Sequence, residues 1–125
     1  MKRTILVVDD EKIIRESISF ILKKEGYHVS EAENGKIAYE KLLKEPFDLV
    51  ITDLTMPGMT GLDLSRRLLQ IRPDLPIILC TGYSEKVDAP AAEALGIQGF
   101  LMKPVLLKEL AELVRKVLNK KCVEP

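Results

Sequence analysis

Leu49-Val50-Ile51-Thr52-Asp53-Leu54-Thr55-Met56-Pro57-Gly58-Met59-Thr60-Gly61 is the stretch that decides how this chain folds. A β-branched, apolar run stops at a carboxylate, and Pro57, Gly58 and Gly61 follow within eight residues. Such a run bounded by turn formers reads as a buried parallel strand. Asp53 then stands where the strand ends, at the edge from which open α/β sheets present their ligands. A lone acid there would serve equally as a helix cap. Three other strands that also end in reactive groups argue for more.

Working outward, Ile5-Leu6-Val7-Val8 is a wholly apolar run that ends in Asp9-Asp10-Glu11. Ile14, Ile18, Ile21 and Leu22 then recur at helical spacing, with Lys12, Arg15, Glu16, Lys23 and Lys24 on other faces, until Gly26 stops the helix. His28 to Ala32 alternates like a short strand, and Asn34-Gly35 opens a second helix with Ile37, Ala38 and Leu42 inward, ending before Pro46. Past Asp53, Thr60 or Gly61 starts a helix with Leu64, Leu68 and Ile71 on one face and Pro73 at its close. Pro76 to Cys80 is a fourth buried strand, ending at Thr81-Gly82. A short alanine-rich helix begins at Asp88-Ala89-Pro90, with proline tolerated in the first turn, and stops at Gly96. Gly99 to Met102 is the fifth strand, ending at Lys103-Pro104. Leu106, Leu110, Leu113, Val114 and Val117 line the core face of the last helix. Apolar strands joined by helices predict a doubly wound parallel sheet covered on both faces.

Composition limits the function. A chain of 125 residues is one domain, with a core over about residues 4–119. Lys plus Arg and Asp plus Glu number 19 each, so no net field draws nucleic acid or an anionic membrane. No apolar run approaches membrane-spanning length, and Met1 to Thr4 leads straight into a strand, so the expected place is the cytoplasm. Cys80 and Cys122 form no disulfide or metal framework and are expected to be free thiols.

In a parallel sheet all strands finish at one edge, so Asp9, Asp10, Asp53, Thr81 and Lys103 are expected to converge on one pocket. Crowded carboxylates repel and call for a cation. Oxygen ligands with no His or Cys nearby suit Mg²⁺ rather than zinc. Lys103 and Thr81 suit the oxygens of a phosphoryl group, with Asp53 as the nucleophile that takes it as an acyl phosphate.

The chain resembles the receiver domain of two-component response regulators over nearly its whole length. The resemblance is carried by Val7-Val8-Asp9-Asp10-Glu11, by Asp53 with Met56-Pro57-Gly58-Met59-Thr60-Gly61, by Thr81-Gly82 and by Lys103-Pro104. It implies a flavodoxin-like, five-stranded parallel sheet of order 2-1-3-4-5 with five helices on both faces. It implies that Asp53 accepts a phosphoryl group from the phosphohistidine of a histidine kinase or a histidine phosphotransfer domain. Asp10, Asp53 and the backbone carbonyl of Thr55 would ligate Mg²⁺, Asp9 would act through water, and Thr81 and Lys103 would bind the phosphoryl oxygens. Thr81 and Phe100 would form the switch that reshapes the face of the fourth helix, fifth strand and fifth helix. The same face is where a homodimer would form. Thr55 and Tyr83, two residues beyond Asp53 and Thr81, would tune the lifetime of the phosphorylated form. The Lys103-Pro104 bond would be cis. The domain would be a signalling module whose only chemistry is its own phosphotransfer and autodephosphorylation.

Plainer roles suit other residues. Asp10 could cap the first helix, and Glu11 is read as complementing its dipole. Thr52 and Thr60 read as strand end and helix cap, His28 as a surface residue, Cys80 as core, and Tyr27 and Tyr39 as packing. Lys23-Lys24, Arg66-Arg67 and Lys120-Lys121 read as solvated faces. Among rival functions, an Asp-nucleophile phosphatase would want a second acid where Thr55 stands, and a flavin carrier would not place Asp9-Asp10-Glu11 at its phosphate loop. A docking module that works without phosphorylation would not need the acids, Thr81 and Lys103 together. The stretch from Asn119 to Pro125 is too short for an output domain. The expectation is therefore a free-standing regulator that acts by docking, or the receiver of a larger protein such as a hybrid sensor kinase.

Overall fold

Four apolar runs and the alternating His28–Ala32 stretch become five parallel strands in the computed structural model, which describes residues 3–82 and 89–122. In chain order the elements are β1 (Thr4–Val8), α1 (Lys12–Lys24), β2 (His28–Ala32), α2 (Gly35–Lys44) and β3 (Leu49–Asp53). Then come α3 (Gly61–Ile71), β4 (Ile77–Thr81), α4 (Ala89–Leu95), β5 (Gly99–Met102) and α5 (Leu107–Cys122). The sheet runs β2-β1-β3-β4-β5, the order the resemblance implies. Every neighbouring pair is parallel, with Val8 beside Thr52 and Asp53 beside Cys80.

Alternation along the strands divides the core in two. Leu6, Val8, Val50, Ile77 and Leu79 face α2 and α3, with Ala92 of α4 in the same cluster. Ile5, Val7, Leu49, Ile51, Ile78 and Cys80 face α1 and α5. A strand covered on both sides has no polar face, which is why β1, β3 and β4 read as unbroken apolar runs. β2 lies at the sheet's edge, and its half-buried residues explain its mixed sequence.

Helix ends follow local chemistry. Asn34 Oδ1 accepts from the Ile37 amide at 2.9 Å to start α2, and Thr60 Oγ1 accepts from the Asp63 amide at 3.1 Å to start α3. Beyond α1, Gly26 takes a φ of 100°, a left-handed stop that a side chain would resist. Two residues expected in the core are not there. Leu106 is 54% exposed because α5 begins one residue later, and Ile71 is 37% exposed in the last turn of α3.

At the sheet's N-terminal edge the polar groups are matched locally. Asp48 Oδ2 accepts from the Thr4 amide at 2.8 Å, and the Asp48 amide donates to the Thr4 carbonyl at 2.8 Å. Arg72 Nη1 donates to the Phe47 carbonyl at 2.7 Å. The helices differ in anchorage. In α3, Gly61, Leu64, Ser65 and Leu68 are buried, whereas Ala92 is the single buried residue among the described side chains of α4. Among the described residues, no helix is long and apolar enough to cross a membrane.

Candidate functional site

The chain leaves β1 to form β2 on one side, then returns past β1 to form β3 on the other. A crevice opens at such a reversal beyond the strands' C-terminal ends. Asp9 and Asp10 follow β1, and Asp53 is the last residue of β3. One oxygen from each of these three acids lies within 4.8 Å of the other two. Asp9 and Asp53 are buried and Asp10 is exposed. At that separation the two buried carboxylates repel by roughly 3 kcal/mol at an effective dielectric near 20. An oxygen-only donor set of this kind fits a hard divalent cation that keeps part of its water shell.

Lys103 is the cation that the fold itself supplies. It follows β5, and its amide donates to the Thr81 carbonyl at 2.8 Å, tying it to the end of β4. Its Nζ lies 2.9 Å from Asp53 Oδ1, 3.4 Å from Asp9 Oδ2 and 3.9 Å from Glu11 Oε1. Burial pulls the Lys103 pKa down, but the Asp53 hydrogen bond and the charges of Asp9 and Asp53 outweigh it, and the net shift is upward. The Lys103-Pro104 bond is cis, as the resemblance implies.

The acceptor loop owes its shape to two glycines. Gly58 has a φ of 84°, which a side chain would resist. Gly61 donates its amide to the Leu54 carbonyl at 2.7 Å, and a Cβ there would run into the Asp53 carbonyl oxygen and come within 3.0 Å of Leu54 Cα. Any side chain at Gly61 would therefore displace the strand end that carries the acid.

The other expected residues are placed as follows. Thr81 is buried at the end of β4, one residue past Cys80, the register partner of Asp53. Phe100 is half-buried on β5, level with Leu79 and packed on the core that holds Ala92. Thr55 is exposed in the loop after β3, and Tyr83 lies outside the described residues. Thr60 caps α3, and the Thr52 hydroxyl donates to the Asp53 carbonyl at 3.1 Å. Cys80 is core, with burial pushing its thiol pKa up to about 12.

Two features at the start of α1 go beyond the sequence pattern. Asp9 Oδ1 accepts from the Glu11 amide at 2.9 Å, so the plainer capping role weighed for Asp10 falls to its neighbour and Asp10 stays with the acid cluster. Arg15, on a face of α1 other than the apolar stripe, is only 14% exposed in its side chain. Its Nη1 donates to the Asp9 carbonyl at 2.9 Å and its Nε to Glu31 Oε1 at 3.0 Å. The available signal was its place five residues after Asp10, on the turn of α1 nearest the acids.

Known proteins agree with this geometry. The family model of the response regulator receiver domain matches residues 5–115. The response regulator receiver protein CpdR of Brucella abortus is 41% identical over 118 residues, which is 94% of this chain and 98% of that protein. The response regulator ArlR of Staphylococcus epidermidis is 35% identical over 93% of this chain, which spans about half, 52%, of that relative. A CheY-like receiver domain structure from Methanospirillum hungatei superposes with a TM-score of 0.90 at 31% identity, covering 96% of each chain. With sheet order, acidic edge and sequence in agreement, this chain belongs to the response regulator receiver domain family of two-component signalling.

Proposed function

We propose that Asp53 accepts a phosphoryl group from the phosphohistidine of a histidine kinase or phosphotransfer domain. A carboxylate oxygen of Asp53 attacks phosphorus, and a P–O bond forms as the P–N bond to imidazole breaks. The electron pair leaves on the ring nitrogen, which takes up a proton. Asp10, Asp53 and the Thr55 carbonyl would hold Mg²⁺, with Asp9 acting through water. Bound there, the ion would supply positive charge against the phosphoryl oxygens. Lys103, already 2.9 Å from Asp53 Oδ1, would pair with one of those oxygens, and Thr81 would donate to another.

One observation carries this reading: three carboxylates and one lysine meet at the sheet's reversal point, where like charges cost stability unless they serve a ligand. Delivery of the phosphohistidine has room as well. A groove of about 220 Å³ beside Lys103 is lined by Ile13, Ile14, Ile21, Pro104 and Val105, and Ile13 is 79% exposed. It offers an apolar seat for the helix that bears the donor histidine. The uptake of phosphoryl would draw Thr81 inward and let Phe100 follow, passing the change to the face of α4, β5 and α5.

The test is intact-mass spectrometry after incubation with acetyl phosphate or phosphoramidate. One phosphoryl adduct is expected, dependent on Mg²⁺ and absent in Asp53→Asn. An adduct that persists in Asp53→Asn would sink the assignment. With beryllofluoride on the same protein, amide signals from Phe100 to Val105 should shift, and changes confined to the acid loops would refute the switch.

A further inference from the structure

The oxygen that Arg15 Nη1 holds at 2.9 Å belongs to the peptide unit joining Asp9 to Asp10. The direction of that carbonyl sets how the two carboxylates stand relative to each other. Asp9 is fixed at three other points, its amide donating to the Ala32 carbonyl at 3.2 Å, its Oδ1 accepting from Glu11 and its Oδ2 lying 3.4 Å from Lys103 Nζ. The carbonyl is where the acid pair retains freedom to rotate, and Arg15 removes it.

Arg15 is itself aimed from outside. A guanidinium presents its donors in a rigid plane, so one bond at Nε orients the others. That bond goes to Glu31 on β2, where Glu31 stands level with Val7 of β1. Lys41 of α2 in turn donates to the Glu31 carbonyl at 2.6 Å and to Ser30 Oγ at 3.0 Å, holding the edge strand in place. A chain of bonds thus runs from α2 through β2 and α1 to the peptide between the acids.

The ion pair with Glu31 accounts for a charge at Arg15 but not for the bond it gives to the Asp9 carbonyl. A fixed cation beside a cation site opposes binding, so an arginine there is explained by where it points. We propose that Arg15 is a positioning residue for the Asp9–Asp10 pair, held in its orientation by Glu31, and that it raises the affinity of the acid cluster for a divalent cation. The proposal rests on reading that cluster as a Mg²⁺ site.

Position and charge predict opposite signs, which makes the inference testable. Mg²⁺ is titrated into the full chain while the amide NMR signals of Asp10 and Leu54 are followed, and thermal unfolding is recorded in EDTA. Arg15→Met should weaken Mg²⁺ binding by about tenfold, the scale on which residues that orient metal ligands act. Arg15→Lys, which keeps the charge but lacks the fork, should weaken it by a smaller factor. Glu31→Ala should weaken it in the wild-type background and have no further effect when combined with Arg15→Met. Unchanged or tighter binding in Arg15→Met, with only the melting temperature lowered, would overturn the positioning role while leaving the Mg²⁺ site intact. An independent effect of Glu31→Ala in the Arg15→Met background would overturn the chain of bonds. Should Arg15→Met fail to fold, wild-type affinity in Arg15→Lys overturns the proposal. A wild-type chain that binds no Mg²⁺ overturns the site reading and this inference together.

Discussion

β3 carries an aspartate at each end, and the two have opposite lives. Asp48, just before the strand, receives the Thr4 amide on its carboxylate and gives its own amide to the Thr4 carbonyl. It is matched by backbone and bound into the turn. Asp53, five residues on, stands among Asp9, Asp10 and Lys103. The same side chain is tied to one neighbouring strand's backbone at one end and crowded by other charges at the other. What separates them is the company each strand end keeps.

The largest expected effect lies at the crowded end. With Mg²⁺ at a hundred times its dissociation constant, unfolding of the wild type should become harder by about 2.7 kcal/mol. Asp10→Asn should lose that increment yet be at least as stable as the wild type in EDTA, because it removes a like charge. Urea unfolding with and without Mg²⁺ measures both. A full Mg²⁺ increment in Asp10→Asn would mean that this acid is not a ligand.

A smaller effect is expected at the matched end. Asp48→Ala removes a charged acceptor from the Thr4 amide and should cost about 1.5 kcal/mol in the urea midpoint. Phosphoryl uptake from acetyl phosphate should be unchanged. If uptake falls in proportion, the two ends of β3 are not the separate worlds described here.

The smallest effect concerns proton balance. Lys103 has its pKa raised in the fold above the ordinary 10.5, since its acidic partners outweigh burial. The stability this contributes is complete below 10.5 and disappears as pH climbs through the higher folded value. Melting temperatures followed into that alkaline range should therefore fall more steeply for the wild type than for Lys103→Met. Asp48→Ala should track the wild type. Parallel alkaline curves for wild type and Lys103→Met would remove Lys103 from the balance.

Much of this was legible in the sequence because parallel topology does the gathering. Once four apolar runs and the alternating His28–Ala32 stretch were separated by helices, their ends had to share an edge, and Asp9, Asp10, Asp53, Thr81 and Lys103 came with them. β3 and β5 begin and end where the apolar runs do. The failures share a different cause. Leu106 and Ile71 sit at helix ends, where spacing no longer dictates which way a residue faces. The role of Arg15 was invisible because hydropathy registers a charge and not the reach of a long side chain that bends inward to a carbonyl. That Asp9 serves the start of α1 while Asp10 is left to the acid cluster is a choice between adjacent identical residues that no pattern encodes.

The uneven anchorage of α3 and α4 has a mechanical consequence. Pulling α3 from the sheet uncovers Leu64 and Leu68, on the order of 4 kcal/mol of burial. Among the described side chains of α4, Ala92 is the one fully buried, roughly one methyl and about 0.8 kcal/mol, and Leu95 is half-buried. By its described side chains, α4 is held to the sheet by less buried apolar surface than α3. If phosphoryl uptake at Asp53 pushes on the strand ends as proposed, α4 is where the least burial resists it.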